Sequence, residues 1–335
     1  LKILFGEIRT PNILKKYEIL LQFYICIKYR IFAENTTDNR ITMHKSGFVN
    51  IVGNPNVGKS TLMNALVGER ISIITSKAQT TRHRILGIVN GDDFQIVYSD
   101  TPGVLKPNYR LQESMLNFSR SALTDADVLL YVTDVFDSYE KNEDFVEKVK
   151  LNPAPLLLII NKIDLIDEEK LVVLVEKWKE LLPKAEIYPV SAIEKFNVDT
   201  LFSRIKALLP ESPAFFDKDQ LTDKPARFFV TEIIREKILL NYDKEIPYSV
   251  EVEVEQFQED DRLIRINAVI YAERDSQKGI LIGHGGKSLK KVGTEARKDM
   301  EMFFDKKVFL ELYVKVEKDW RNKDIKLKGF GYSLD

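Results

Sequence analysis

Between Gly47 and about Leu209, short apolar runs alternate with longer stretches in which apolar positions recur every three or four residues. Phe48 to Val52, Phe94 to Ser99, Pro155 to Ile160 and Glu186 to Val190 read as buried strands, and helices are expected after Lys59, Tyr109, Tyr139, Asp167 and Val198. This order predicts an α/β domain over residues 46–209 with a doubly wound, mostly parallel sheet. The break Leu209-Pro210-Glu211-Ser212-Pro213 opens a stretch of Pro, Asp and aromatic residues that reads as a linker, 210–224. Beyond it the pattern changes. Pro225 to Asn241 starts with proline and carries Phe229, Ile233, Ile234 and Ile238 at helical spacing. Tyr248 to Val254 and Leu263 to Ile270 alternate as a β-hairpin, a helix-turn-helix surrounds Gly283, and Val308 to Val316 is a third strand. The order α-β-β-α-α-β predicts a smaller α+β domain over 225–335.

Composition narrows the classes. With 335 residues, 44% apolar and 30% charged, the chain is long enough for two domains with real cores. It contains no uncharged apolar stretch of the ~18 residues that a membrane-spanning helix needs. The single cysteine, Cys26, allows no internal disulfide, which fits a reducing compartment. His44, His83 and His284 show no ligand spacing and read as surface or loop residues. The net charge of −1 hides an uneven distribution: Lys278 to Phe330 holds 14 Lys or Arg against 8 Asp or Glu, whereas Glu251 to Asp261 holds six acids. A charge run is usually a solvated face, so the basic stretch by itself is only a candidate for nucleic-acid contact.

Residues 1–45 read as an N-terminal extension foreign to the rest. The first 42 residues lack an initiating Met, and Met43 stands just before the first strand. Their bias toward Leu, Ile, Lys, Tyr, Phe and Asn resembles translated A/T-rich intergenic sequence, so translation upstream of the true start, or disorder, is the expectation. Glu7, Glu18, Glu34 and Asp38 fit poorly with a transit peptide, and Lys15, Lys16, Lys28 and Arg30 interrupt any secretory signal. The alternative is an authentic amphipathic helix from Asn12 to Phe32.

Candidate chemistry begins at Gly53-Asn54-Pro55-Asn56-Val57-Gly58-Lys59-Ser60, directly after the first strand. The run fits G-x-x-x-x-G-K-[ST], in which a glycine-rich turn and a helix N-terminus aim backbone N–H groups at a polyphosphate. Gly53, Asn56, Val57, Gly58 and Thr61 would line that cradle, Lys59 would reach the β- and γ-phosphates, and Ser60 would offer its hydroxyl to Mg²⁺. A lone match arises by chance in about one chain per hundred of this length, so the company it keeps decides. Asp100-Thr101-Pro102-Gly103, Asn161-Lys162-Ile163-Asp164 and Ser191-Ala192 each follow a predicted strand. Such loops meet at the carboxyl edge of an open α/β sheet.

Each motif has a distinct task. Asp100 would hold Mg²⁺ through water, and the Gly103 N–H can approach the γ-phosphate. Asp164 accepts two hydrogen bonds from the N1–H and exocyclic amine of guanine, a pair that adenine lacks, so the nucleotide is GTP or GDP. Asn161 would support the base and the phosphate loop, the Lys162 stem would cover one guanine face, and the Ala192 N–H would meet O6. The second domain contributes Gly283-His284-Gly285-Gly286-Lys287, a G-x-x-G turn between two helices, followed by Lys290, Lys291, Arg297 and Lys298. Glycines there let a phosphodiester backbone pass close, and an adjacent apolar groove receives unstacked RNA bases, the KH-domain device.

Gly53 to Leu66, Ala78-Gln79-Thr80-Thr81-Arg82-His83-Arg84, Asp219-Gln220-Leu221-Thr222-Asp223-Lys224-Pro225 and Gly283 to Asp299 resemble the Era family of bacterial ribosome-assembly GTPases, over about residues 46–330. The resemblance implies a P-loop GTPase domain followed by a type II KH domain. It also implies binding to the 3′ end of 16S rRNA and a role in maturation of the 30S subunit coupled to cell growth and division. The protein would be a monomer in the bacterial cytoplasm, with peripheral contact at the inner membrane. It points to Thr81, with Thr80 as a substitute, as the threonine that joins Mg²⁺ and the γ-phosphate, and to Asn56 as a ligand of K⁺ between the β- and γ-phosphates. Two departures stand out. Val104 occupies the place of the water-orienting glutamine of Ras-type enzymes, so slow turnover stimulated by K⁺ or RNA is expected. His284 occupies a place where the family usually carries lysine, which would weaken one phosphate contact.

Overall fold

A computed structural model of the chain describes residues 44–136 and 142–332. The N-terminal extension up to Met43, with the alternative helix over 12–32, and Tyr139 lie outside the described residues.

The first half builds β1 (Lys45–Gly53), α1 (Lys59–Val67), β2 (Ile85–Asn90), β3 (Phe94–Asp100), α2 (Arg110–Thr124), β4 (Val128–Asp134), α3 (Glu143–Lys150), β5 (Leu156–Asn161), α4 (Glu168–Leu181), β6 (Glu186–Pro189) and α5 (Val198–Leu208). The strands form one sheet in the order β2-β3-β1-β4-β5-β6. All neighbours are parallel except the β2–β3 hairpin. Successive side chains of a strand point to opposite faces, and here both faces are covered. Val49, Ile51, Leu130, Val132, Leu157 and Ile159 pack on one side with α1 and α5. Val52, Leu129, Tyr131, Leu158 and Ile160 pack on the other with α3 and α4. Double burial explains why these strands read as unbroken apolar runs. It also puts the carboxyl ends of β1, β3, β4, β5 and β6 on one edge.

Residues 210–224 are ordered along β2. The Ile88 N–H donates to the Leu221 carbonyl at 2.8 Å and Thr222 Oγ1 donates to the Leu86 carbonyl at 2.7 Å. The Gln95 side chain accepts from the Phe215 and Phe216 N–H groups at 2.7 and 3.0 Å.

The second half follows the predicted order: α6 (Ala226–Asn241), β7 (Val250–Glu259), β8 (Leu263–Ala272), α7 (Asp275–Ile282), α8 (Lys287–Phe304) and β9 (Lys307–Val316), with a short α9 (Asp324–Gly329) added. β7 pairs antiparallel with β8 and β8 pairs parallel with β9. β7 starts two residues later than expected because Ile246–Tyr248 forms a 3-10 turn, and it continues past a bulge at Val254/Gln256 to Glu259. The acidic run lies mainly on this strand: exposed Glu253 and Glu255 alternate with buried Val252 and Val254, while Glu251 is buried. A further apolar cluster joins the halves, with Leu111 and Met115 of α2 packed on Trp320, Leu327 and Tyr332.

Candidate functional site

The loop after β1 wraps a cavity of about 400 Å³ whose lining includes Asn56, Gly58, Lys59, Ser60, Thr61, Thr81, Gly103 and Lys162. Gly58 precedes α1 at φ +96°, and a Cβ there would lie 2.2 Å from Asn161 Nδ2, so the turn requires glycine. Gly103 is required for proximity: its Cβ would meet Pro55 Cα at 2.6 Å. Lys59 lies across the loop, its Nζ donating to the carbonyls of Gly53 at 3.1 Å and Asn54 at 2.8 Å. Gly53 and Val57 lie off the cavity lining: the Gly53 carbonyl accepts from Lys59, and Val57 is buried in the core beside α1.

Three expected metal ligands converge. Ser60 Oγ donates to Asp100 Oδ2 at 2.7 Å, Thr81 Oγ1 lies 2.8 Å from Ser60 Oγ, and Thr81 Oγ1 donates to Asp100 Oδ2 at 3.3 Å. Asp100 Oδ1 is buried and accepts no well-formed hydrogen bond among the described residues, although the Ser72 hydroxyl lies near enough to favour the ionised carboxylate. Burial pushes the Asp100 carboxyl above its ordinary range despite the opposing charge of Lys59. A hard divalent cation beside this all-oxygen set would satisfy the orphan oxygen and hold the carboxylate ionised, so the residues fit Mg²⁺. Thr80 is excluded as the substitute by its own bonds: its Oγ1 donates to the Lys77 carbonyl at 2.6 Å and meets Thr75 Oγ1 at 2.6 Å. Val104 is buried and packs with the core cluster on the α3–α4 face, so its side chain offers the attacking water no hydrogen bond.

At the base end, Asn161 Nδ2 donates to the Val57 carbonyl at 2.9 Å and ties the phosphate loop to β5. Lys162 Nζ bridges the Asn56 carbonyl and Asp134 Oδ2, both at 2.6 Å, which stretches its stem over the cavity wall. Asp164 follows in a 3-10 turn with Oδ1 buried and unpartnered among the described residues, the acceptor that a guanine edge needs. Ser191 closes a bridge to Phe196. The Ala192 N–H, the donor expected for the guanine O6, donates to Asn161 Oδ1 at 3.0 Å and so also fixes the Asn161 amide.

The glycine turn of the second half leaves α7 at Gly283 and enters α8 at Lys287, with His284, Gly285 and Lys287 exposed. Beside it a groove of about 340 Å³ is lined by Gly286, Leu289, Lys290, Gly293, Thr294, Arg297, Leu310 and Leu312. The structure thus gathers Gly286, Lys290 and Arg297 over an apolar floor. It leaves Lys291 off that lining, 3.9 Å from Glu295, and pairs Arg297 with Glu301 at 3.0 Å. His83 lies half-buried in the loop before β2, as a loop residue was expected to, but it is not a plain surface group. Its ring is stacked on Tyr332 at 4.3 Å and meets the edge of Phe228 at 5.6 Å, which makes it part of the packing between the halves.

Some residues at the site carry no sequence signal. Asn142 Nδ2 bridges Asn54 Oδ1 at 2.5 Å and the Val104 carbonyl at 3.2 Å, tying the first loop to the Asp100 loop. Asp134, which accepts from Lys162, and Arg235, which donates to the Gln79 and Thr80 carbonyls, also brace this edge from positions that tertiary folding alone brings close.

The chain matches the 50S ribosome-binding GTPase family over residues 48–162 and the KH domain over residues 245–321. It is 44% identical over 297 residues to the GTPase Era of Staphylococcus haemolyticus, covering 88% of this chain and 99% of that protein. The Era of Staphylococcus epidermidis is 43% identical over the same shares. Among solved structures, an Aquifex aeolicus Era variant bound to GDP·AlF4⁻ superposes with a TM-score of 0.83 at 37% identity, covering 86% of this chain and 99% of the other. An Era complex with MgGDPNP and nucleotides 1506–1542 of 16S ribosomal RNA gives the same TM-score and identity over 87% and 99%.

Proposed function

The chain belongs to the Era family of GTPases, and from that premise we propose that it couples GTP hydrolysis to binding of the 3′ end of 16S rRNA during maturation of the 30S subunit. The observation that carries the nucleotide half is the buried Asp100 carboxylate, whose Oδ2 accepts from the Ser60 and Thr81 hydroxyls while Oδ1 accepts no well-formed hydrogen bond among the described residues. Mg²⁺, when bound, supplies positive charge to the β- and γ-phosphate oxygens. Lys59 adds its ammonium, and the backbone N–H groups of the Gly53–Ser60 loop and Gly103 hold the phosphates in line. Asp164 selects guanine. Val104 gives no help to the attacking water, so this reading includes slow intrinsic turnover. Asn56, which lines the cavity, would hold K⁺, whose positive charge would serve in place of an arginine finger.

The RNA half rests on the groove beneath the glycine turn. Single-stranded bases enter over Leu289, Leu310 and Leu312 while Lys290 and Arg297 face phosphates, with Gly283, His284, Gly285 and Lys287 at the turn and Lys291 outside the groove. The same reading makes the protein a cytoplasmic monomer that meets the 30S subunit and, peripherally, the inner membrane in support of growth and division; gradient co-sedimentation with each fraction tests those partners. The central test compares wild type with Lys59→Ala for GTP consumption and for binding of a 16S 3′-end strand. The variant is expected to bind RNA and to lose GTP hydrolysis together with any nucleotide effect on RNA affinity. Unchanged GTP consumption in Lys59→Ala refutes the reading.

A further inference from the structure

The second half of the molecule reaches into the segment that carries Thr81. Arg235 of α6 is only 1% exposed. Glu232, one turn earlier, fixes its orientation: Nε donates to Oε1 at 2.9 Å and Nη2 donates to Oε2 at 2.8 Å. The rest of the fork points across the interface. Nη1 donates to the Gln79 carbonyl at 3.2 Å and Nη2 donates to the Thr80 carbonyl. These are the two peptide groups immediately before Thr81.

Gln79 needs external support, because it holds φ at +56°, a region that a non-glycine residue seldom occupies unless its surroundings impose it. Its side chain is held separately, Oε1 accepting from the Tyr109 hydroxyl at 3.2 Å, and the Arg321 guanidinium covers the Tyr109 ring at 4.5 Å. Docking of the two halves does not depend on Arg235. The fully buried Arg82 donates to the Val250 carbonyl at 2.7 Å, the Pro247 carbonyl at 3.1 Å and Glu251 at 3.1 Å. Arg70 pairs with Glu236 at 2.5 Å, and Lys77 pairs with Asp243 at 2.9 Å.

We propose that Arg235 is a positioning residue for GTP hydrolysis: by clasping the Gln79 and Thr80 carbonyls it holds the Thr81 hydroxyl at the metal and γ-phosphate. The KH half then supplies part of the catalytic geometry of the other half. This inference rests on the reading of Thr81 given above. A lysine at 235 keeps the charge beside Glu232 but lacks the planar fork that bridges a carboxylate and two carbonyls.

The test uses the full chain and measures single-turnover GTP hydrolysis, its Mg²⁺ dependence and GDP affinity in wild type, Arg235→Lys, Arg235→Gln and Thr81→Ala. Both Arg235 variants are expected to hydrolyse GTP about 10- to 100-fold more slowly and to need more Mg²⁺ for half-maximal rate, with GDP affinity and 16S 3′-end strand binding unchanged. Combining Arg235→Lys with Thr81→Ala is expected to add little to Thr81→Ala alone, since the two changes act on one hydroxyl. Should Arg235→Gln fail to fold, Arg235→Lys decides. A wild-type rate in the Arg235 variants beside a slow Thr81→Ala overturns the positioning role and leaves the site intact. A wild-type rate in Thr81→Ala overturns the reading of the site itself. Loss of GDP affinity in step with rate marks Arg235 as structural and also overturns the proposal.

Discussion

Asp164 presents a buried carboxylate oxygen with no partner among the described residues, at the base end of a site whose other end is complete. Exchange for asparagine turns one acceptor into a donor, which opposes the exocyclic amine of guanine and suits the C2 carbonyl of xanthine. Asp164→Asn is therefore expected to lose GTP affinity by two orders of magnitude or about 3 kcal/mol, and to gain affinity for xanthosine triphosphate in the same competition assay. His83 makes a pH prediction. Burial among Tyr332, Phe228 and Phe118 lowers its pKa from 6.5 to about 4; Glu251 opposes this, whereas Arg235, Lys224 and Arg82 reinforce it. Between those values the unfolded chain binds more protons, so stability rises with pH. The contribution is complete above pH 6.5 and is lost as pH falls toward 4. Urea midpoints are expected to fall more steeply across this window for wild type than for His83→Gln, and parallel slopes would refute the assignment. The motifs made Asp164, Lys59, Ser60 and Asp100 legible because local geometry demands those residue types at those spacings. The packing of His83 and the clasp of Arg235 were not legible, since Tyr332 and Phe228 about the one, and the Gln79 and Thr80 carbonyls at the other, lie over a hundred positions away.

At the scale of elements, sequence pattern succeeded where one face or both faces of a segment are buried and a motif follows. The strands before the four nucleotide loops were found, and α8 starts and ends where expected. β2 and β4 were not named, since neither is followed by one of those motifs and β2 is an edge strand interrupted by Gly87. α9 escaped because it is only six residues long, half of them charged, and only Leu327 is buried. That single side chain is nonetheless fully covered, packing with Trp320 and Tyr332 against Leu111 and Met115 of α2. Leu327→Ala is expected to cost about 2–5 kcal/mol, read from the urea transition. α8 gives a second expectation. If Lys290 faces a phosphate, Lys290→Ala reduces the slope of log affinity against log salt by about 0.7 for single-stranded RNA, whereas Lys291→Ala, off the groove, leaves it nearly unchanged. Equal effects of the two variants would place the strand elsewhere on the helix.

For the whole molecule, the decisive feature is that the segment from Lys77 to Arg84 belongs to both halves. Thr81 faces Ser60 and Asp100, while Arg82 one residue later is enclosed by Pro247, Val250 and Glu251, and the Glu251 carboxylate also accepts from the Tyr332 hydroxyl at 2.6 Å. A displacement of Thr81 when the γ-phosphate is lost therefore disturbs buried ionic contacts beside α6 and β7, which share a core with α8 and the RNA groove. Two sites linked through one such segment affect each other reciprocally. Affinity for a 16S 3′-end strand is accordingly expected to differ about fivefold or more between the GTP-analogue and GDP states. The same strand is expected to change the analogue's affinity, relative to that of GDP, by the same factor. Titration with analogue, with GDP and without nucleotide measures the first quantity, and nucleotide competition at saturating RNA measures the second. Three equal RNA affinities would mean that the shared segment keeps one conformation through the cycle, and that the buried contacts of Arg82 dock the two halves without coupling them.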